Sequence, residues 1–235
     1  DRSVSRGLGD VYKRQILILL IPVISKTPST EEITGISKGL DIIHPENKLD
    51  IPDESSKTDG NNNGIADTID MVASAEKSFN EETLYKDAYY IGGYPPDSEG
   101  VCTDVIWRGF KAVGIDLKSL IDEDIRKSVN SYPGVNGKPD SNIDFRRVKN
   151  QKVFFDKYCS AETTKVIPND ADNLKQWQPG DILLFLKPYE HVGMISNERD
   201  SDGIPFVLHN SFPKMKKSKL SWFNLDEIYH YRWKF

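Results

Sequence analysis

Residues 178–211 read QPGDILLFLKPYEHVGMISNERDSDGIPFVLHNS, and their rhythm decides the fold. Three apolar runs of strand length occur here: 180–186, 191–196 and 206–211. Clusters of Pro, Gly, Asp and Ser separate them. Short apolar runs bounded by turn residues read as β-strands. A fourth run, IYHYRW at 228–233, completes the series. Upstream the period changes to helical. Residues 68–85 place Ile69, Val72, Ala73 and Phe79 at helical spacing. Residues 101–113 read as a second helix, with Val105, Phe110 and Val113 on its apolar side and Gly114 as terminator. SLIDEDIRKSVN (119–130) is a third, amphipathic helix, and NQKVFFDKY (150–158) a fourth. Helices followed by a run of strands predict an α+β fold, with an antiparallel sheet packed against N-terminal helices.

The chain has 235 residues, 37% hydrophobic and 29% charged, which suits a real core beneath a well-solvated surface. That length holds one large domain or one domain plus an appendage. A net charge of -5 argues against nucleic acid, which asks for a basic face. No glycine-rich loop runs into Lys and Ser or Thr, so phosphate binding lacks support. Residues 1–15 (DRSVSRGLGDVYKRQ) read as a sequencing or junction artefact and are set aside. Residues 16–25 form an apolar run behind Lys13 and Arg14. The run is shorter than the about 20 residues a spanning helix needs. It fits the remnant of a secretory signal or of a membrane anchor. Residues 26–56 are polar, with Pro28, Pro45 and Pro52, and read as a linker. The expectation is an exported or envelope-tethered protein and a monomer.

The stretch EGVCTDVIWRGF (99–110) raises the question of function. Cys102 sits where a proline-rich loop turns into a helix. It is one of two cysteines, so a disulfide to Cys159 is one reading in an exported chain, and a packed core thiol is another. A nucleophile is the third. A thiol needs a nearby base, and the base needs a polar group to orient it. A helix N-terminus also favours the thiolate. Cys102 shares a helix side with Val105, Ile106 and Gly109, which turns its thiol toward the sheet. Of four histidines, His44 lies in the linker and His230, in HYRW, reads as structural. His191 opens a strand, sharing a face with Gly193 and Ile195, and His209 shares a face with Val207. Asn210 is the rival third residue, but alternation points it to the opposite face. A zinc site from Cys102, His191 and His209 has suitable ligand types, without a tight pair such as HExxH or CxxC.

GVCTDVIWRGF, QPGDILLF, HVGMIS and FVLHN, in this order, resemble the NlpC-type papain-like cell-wall cysteine peptidases. The phrases YPPDSEGVCTDV, KPDSNIDFRRV, PGDIL and HYRW resemble one uncharacterised branch, domain-of-unknown-function family 1287. The likeness covers about residues 85–235, a cysteine hydrolase domain. It implies a papain-like fold, a peptidase or amidase activity, and a peptidoglycan peptide or other peptide or amide as substrate. It also implies Cys102 as nucleophile, His191 as base and His209 as orienter. Phe145 stands where the branch usually has His, which puts any catalytic role at that position in doubt.

Residues 57–84 carry a second pattern, DGNNNGIADTID. Asp59, Asn61, Asn63, Gly64, Ile65, Asp67 and Asp70 fall at positions one, three, five, six, seven, nine and twelve of an EF-hand-like calcium loop. Oxygens at one, three and five wrap a hard cation, and Ile65 offers its carbonyl. Asp70, with a shorter reach, replaces the usual Glu. A structural calcium is expected; a plain Asn/Gly linker is the alternative. Arg146 and Arg147 are candidates for a substrate carboxylate, or for ion pairs with Asp140 or Asp144. Tyr94 is a candidate cleft residue. Asp104 and Arg108 have the spacing of a surface pair. KMKKSK (214–219) reads as a solvated turn. No organic cofactor is expected. The rival functions are a non-catalytic, calcium-stabilised wall-binding protein, and an acyltransferase or lipid amidase on the same scaffold.

Overall fold

The computed structural model describes residues 49–223 and 227–235. The junction fragment, the apolar run, His44 and most of the linker lie outside the described residues. The architecture is mixed α+β: the four long helices on one side of a single eight-stranded sheet.

Helix α1 spans Asp67–Asn80 and buries Met71, Val72 and Ala75. Helix α2 spans Cys102–Ala112, α3 Leu117–Ser128, and α4 Val148–Tyr158. A short α5, Ala171–Leu174, precedes the main strands. The long helices agree with the apolar spacing of their sequences to within a few residues. No described helix is long and apolar enough to cross a membrane.

The strands are β1 (Leu84–Tyr85), β2 (Glu99–Gly100), β3 (Cys159–Ala161), β4 (Ile182–Phe185), β5 (His191–Arg199), β6 (Pro205–Ser211), β7 (Lys214–Lys219) and β8 (Ile228–Trp233). Their order across the sheet is β2-β1-β7-β6-β5-β4-β8-β3. Every pair is antiparallel except β1–β2, which is parallel, so the sheet is mixed rather than purely antiparallel. Lys214–Lys219 is strand, not turn. Its Met215 alone is buried, and pairing with β6 imposes the extended form.

Alternation gives the sheet two apolar faces. Val192, Met194, Ile182, Leu184 and Leu208 meet the helices and Cys102 in the larger cluster. Leu183, Phe185, Ile195 and Val207 face the other way, with Leu174, Trp177 and Leu220. At Gly109 a Cβ would lie 2.6 Å from Met194 Cε, so a side chain there would force the end of Met194 to move. The residues read as a separate calcium-loop segment join this body, since α1 contributes to the larger cluster. Leu49 and Ile51, at the end of the predicted linker, pack against the smaller cluster.

Candidate active site

Cys102 is the first residue of α2. The preceding Val101 has no side-chain oxygen to cap the helix. Asp104 reaches back instead, and its carboxylate accepts from Val101 N at 2.7 Å. The backbone N–H groups of Val192, Thr103 and Cys102 are near enough to the sulfur to favour its thiolate. The thiol therefore sits at the open end of α2, against the first residues of β5. It is 2% exposed.

His191 and His209 lie on neighbouring strands, and both rings are buried. His191 Nε2 and His209 Nδ1 are 2.9 Å apart, and His209 Nε2 lies 3.0 Å from Ser218 Oγ. Phe185 stacks on His191 at 5.7 Å, and Phe223 packs edge-on against His209 at 5.3 Å. Gly193 makes room for this arrangement: a Cβ there would meet Val207 Cγ1 at 2.6 Å and His209 Cβ at 3.1 Å.

The network selects a tautomer. His191 Nδ1 is buried and has no hydrogen-bond partner. A buried N–H without an acceptor is costly. The proton therefore sits on Nε2 and is donated to His209 Nδ1. His209 then carries its own proton on Nε2 and donates it to Ser218 Oγ. This leaves Nδ1 of His191 as the bare, basic nitrogen.

The expected His191–His209 contact is present. A His191–Cys102 hydrogen bond is not formed. The thiol touches the residue after His191, from the face that carries α2, whereas the imidazoles belong to the opposite face with Phe185 and Val207. Asn210 takes no part in the pair. It points away from His209, as alternation requires, and its amide donates to Gly100 O and Leu84 O, fastening the loop before α2.

Burial pushes the Cys102 thiol up to about 12, outweighing the N–H groups that favour its thiolate; nearby Asp104 adds to the rise. Burial, then the positive charge of Lys216, pulls His191 down to about 3. Burial, then His191 and Lys216, pulls His209 well below the ordinary histidine value. At neutral pH the resting state is a protonated thiol and two neutral imidazoles. A pKa near 12 leaves about one thiolate in 10⁵ at pH 7. Alkylation of Cys102 by iodoacetamide, without substrate, should therefore accelerate steadily from pH 7 to pH 9. A rate that levels off below pH 7 would reveal a resting thiolate–imidazolium pair instead. Cys159 is also free and buried, and burial pushes it up to about 12, so no disulfide joins the two.

Other candidates fall elsewhere. Arg146 does not present a free fork. Its guanidinium is bonded to both oxygens of Asp104, at 2.7 and 2.8 Å, and to Ala88 O, with a side chain 1% exposed. The pair is thus with Asp104, not Asp140 or Asp144, because the chain folds residue 146 against the first turn of α2. Arg147 is half-exposed and lies 3.3 Å from Asp144. Asp104 and Arg108 do not form the expected surface pair: Asp104 is buried, and Arg108 donates to Pro96 O and Glu99 O. Tyr94 packs on Trp107 and Phe145 and lines a cavity of about 260 Å³ with Lys111, Ile115 and Asp116; neither Cys102 nor either histidine borders it. Phe145 is wholly buried. His230 is structural, with one ring nitrogen on Asp181 Oδ2, the other on Thr163 O, and Trp177 stacked on its face.

In the Asp59–Asp70 loop, Asp59 accepts from Asn63 N and Gly64 N, and Asn63 accepts from Ile65 N. The amides of Asn61 and Asn63 both donate to Asp70. Gly64 has φ +88°, which its position in the turn requires. Asp67 departs from the pattern, since its carboxylate is buried and accepts from Gly60 N. Among the described residues no cluster of three or more His, Cys, Asp or Glu side chains is placed to hold a metal. Calcium in this loop would rest on Asp59, Asp70, amide oxygens and the Ile65 carbonyl.

The sequence profile of a domain of unknown function (DUF1287) matches residues 72–233. The chain belongs to the DUF1287 family. It is similar to the uncharacterized protein YijF of Escherichia coli (strain K12), with 32% identity over 177 residues, covering 72% of this chain and 83% of YijF. The DUF1287 region contains Cys102, His191, His209 and Ser218, and begins inside α1. Ser218 and Lys216 escaped the sequence reading because their strand was taken for a turn. The signal that could have found them is the alternation of Met215 with polar neighbours beside the Phe206–Ser211 run.

Proposed function

We propose that this DUF1287 protein is an exported, thiol-dependent amidase or peptidase acting on peptidoglycan peptides, built on a papain-like scaffold of the NlpC type. The observation that carries this is the oriented imidazole. His191 is held at Nε2 by His209, which is held by Ser218, its Nδ1 is left bare, and the next residue, Val192, packs in the same core cluster as Cys102. The structural His230 has both ring nitrogens partnered, whereas His191 is oriented through Nε2 and keeps Nδ1 bare.

In the proposed reaction Cys102 Sγ attacks the scissile carbonyl. The resting pair is neutral and divided between the two faces of the sheet, so the reaction requires a rearrangement that brings His191 Nδ1 to the thiol before it takes the proton. His191 then protonates the leaving amine, and water releases the acyl group. His209 fixes the ring and stabilises its charged form. The N–H groups at the start of α2 stabilise the oxyanion. The test is mass spectrometry of purified muropeptides after incubation with wild type and with Cys102→Ala. New fragments with wild type alone support the reading, and identical spectra defeat it. Transfer of an acyl group to an added alcohol or amine, in place of hydrolysis, would identify an acyltransferase. The closed burial of Cys102 favours one rival, a non-catalytic wall-binding protein. It would be recognised by muropeptide binding without cleavage.

We also propose that the Asp59–Asp70 loop holds a structural calcium, supported by its Asx-turn geometry. A ligand bound only to the folded state adds about 2.7 kcal/mol at a hundredfold its dissociation constant. Calcium should raise the melting temperature of wild type but not of Asp59→Ala. The absence of any calcium-dependent shift in wild type would rule the site out.

A further inference from the structure

Strand β7 carries four lysines, and three have acidic partners. Lys214 pairs with Glu82, Lys217 with Glu76 and Glu198 at 2.9 Å each, and Lys219 with Asp200 at 3.5 Å. Lys216 differs. Among the described residues it makes no ion pair and no hydrogen bond. It is directly opposite His209 in the β6–β7 ladder, so both side chains leave the sheet on the same face. Its charge is felt by both His191 and His209. The ammonium is itself partly buried, and burial draws it below the ordinary lysine value. No carboxylate contributes to the shift of any of these three groups. A half-buried cation without a counter-ion is unfavourable, and its natural complement is an anion.

We propose that Lys216 is the anchor for a carboxylate of the substrate, so that the face carrying His191 and His209 takes peptides with a free carboxylate; this deepens, and rests on, the hydrolase reading above. The juxtaposition also gives the lysine a second effect. With the site empty, Lys216 opposes protonation of the two imidazoles. A bound carboxylate cancels that opposition and makes His191 easier to protonate. An amide in place of the carboxylate would leave the lysine unpaired and the imidazole reluctant.

The test reads binding rather than turnover. Imidazole resonances of His191 and His209 are followed by NMR in Cys102→Ala protein, titrated with N-acetylglycine and, separately, with N-acetylglycinamide. N-acetylglycine is expected to shift both rings saturably and to bind at least about tenfold more tightly than its amide, the scale of one charge-assisted contact. Lys216→Gln should erase that preference, and Lys216→Arg should keep it. Equal affinity for acid and amide, no saturable shift with the acid, or an undiminished preference in Lys216→Gln would each overturn the proposal. The two readings separate cleanly. If wild type never cleaves muropeptides but the preference follows the charge at 216, the anchor stands and the hydrolase assignment falls.

Discussion

His191→Ala is expected to lower kcat/KM on muropeptides by about 10²–10⁴-fold, the range for loss of a general base. Cys102→Ala should abolish cleavage outright, because no other side chain can form the acyl-enzyme. The effects should then fall along the chain of hydrogen bonds. His209→Ala leaves the base in place but frees its ring to rotate and removes the acceptor for Nε2–H, so its loss should be smaller than that of His191. Ser218→Ala removes only the last link and should be milder still. Asn210→Ala belongs to a different class. It unfastens Gly100 and Leu84 and should lower the melting temperature with little change in kcat once the protein is folded. Kinetics of the five variants, each checked for folding, decide the order. Equal losses for His209→Ala and Asn210→Ala would show that His209 acts through stability and not through the imidazole.

The largest change in stability is expected at the Asp104–Arg146 pair, which is not part of the reacting group. Both side chains are buried, and Asp104 also accepts from Val101 N and Trp107 Nε1. Arg146→Met removes the counter-ion and leaves a buried carboxylate. Breaking a buried pair in this way costs about 3–5 kcal/mol. In a domain of this size that is a fall of roughly 6–20 °C in melting temperature. Adding Asp104→Asn to Arg146→Met should recover part of the loss, since no uncompensated charge then remains. Urea denaturation of the single and double variants measures the coupling. A single-variant loss within about 0.5 kcal/mol would mean that water or local rearrangement already compensates Asp104. The same variants test a link to the site, because Asp104 fixes the first turn of α2, from which the thiol projects.

Much of this was legible in the sequence. Residues buried on one face repeat with the period of their own backbone, so 68–85, 101–113, 119–130 and 150–158 declared helices and 180–186, 191–196, 206–211 and 228–233 declared strands. The same alternation put His191 and His209 on one face and Asn210 on the other. Chemistry-bearing residues at the start of α2, β5 and the end of β6 therefore stood out from local pattern and from resemblance. The pairing of Arg146 with Asp104 did not. Those residues are 42 apart, and only the packing of the segment before α4 against α2 makes them neighbours. Strand β7 was hidden for a related reason. KMKKSK has one buried side chain, so its extended form comes from hydrogen bonds to β6, and those depend on tertiary structure. With β7 unseen, Ser218 and Lys216 could not be placed beside the imidazoles. The sequence alone determined which faces are apolar, because burial leaves a local period. The tertiary structure decided which charges meet and which lysine of β7 has no acidic partner among the described residues, because an electrostatic contact is set by distance in space and leaves no period along the chain.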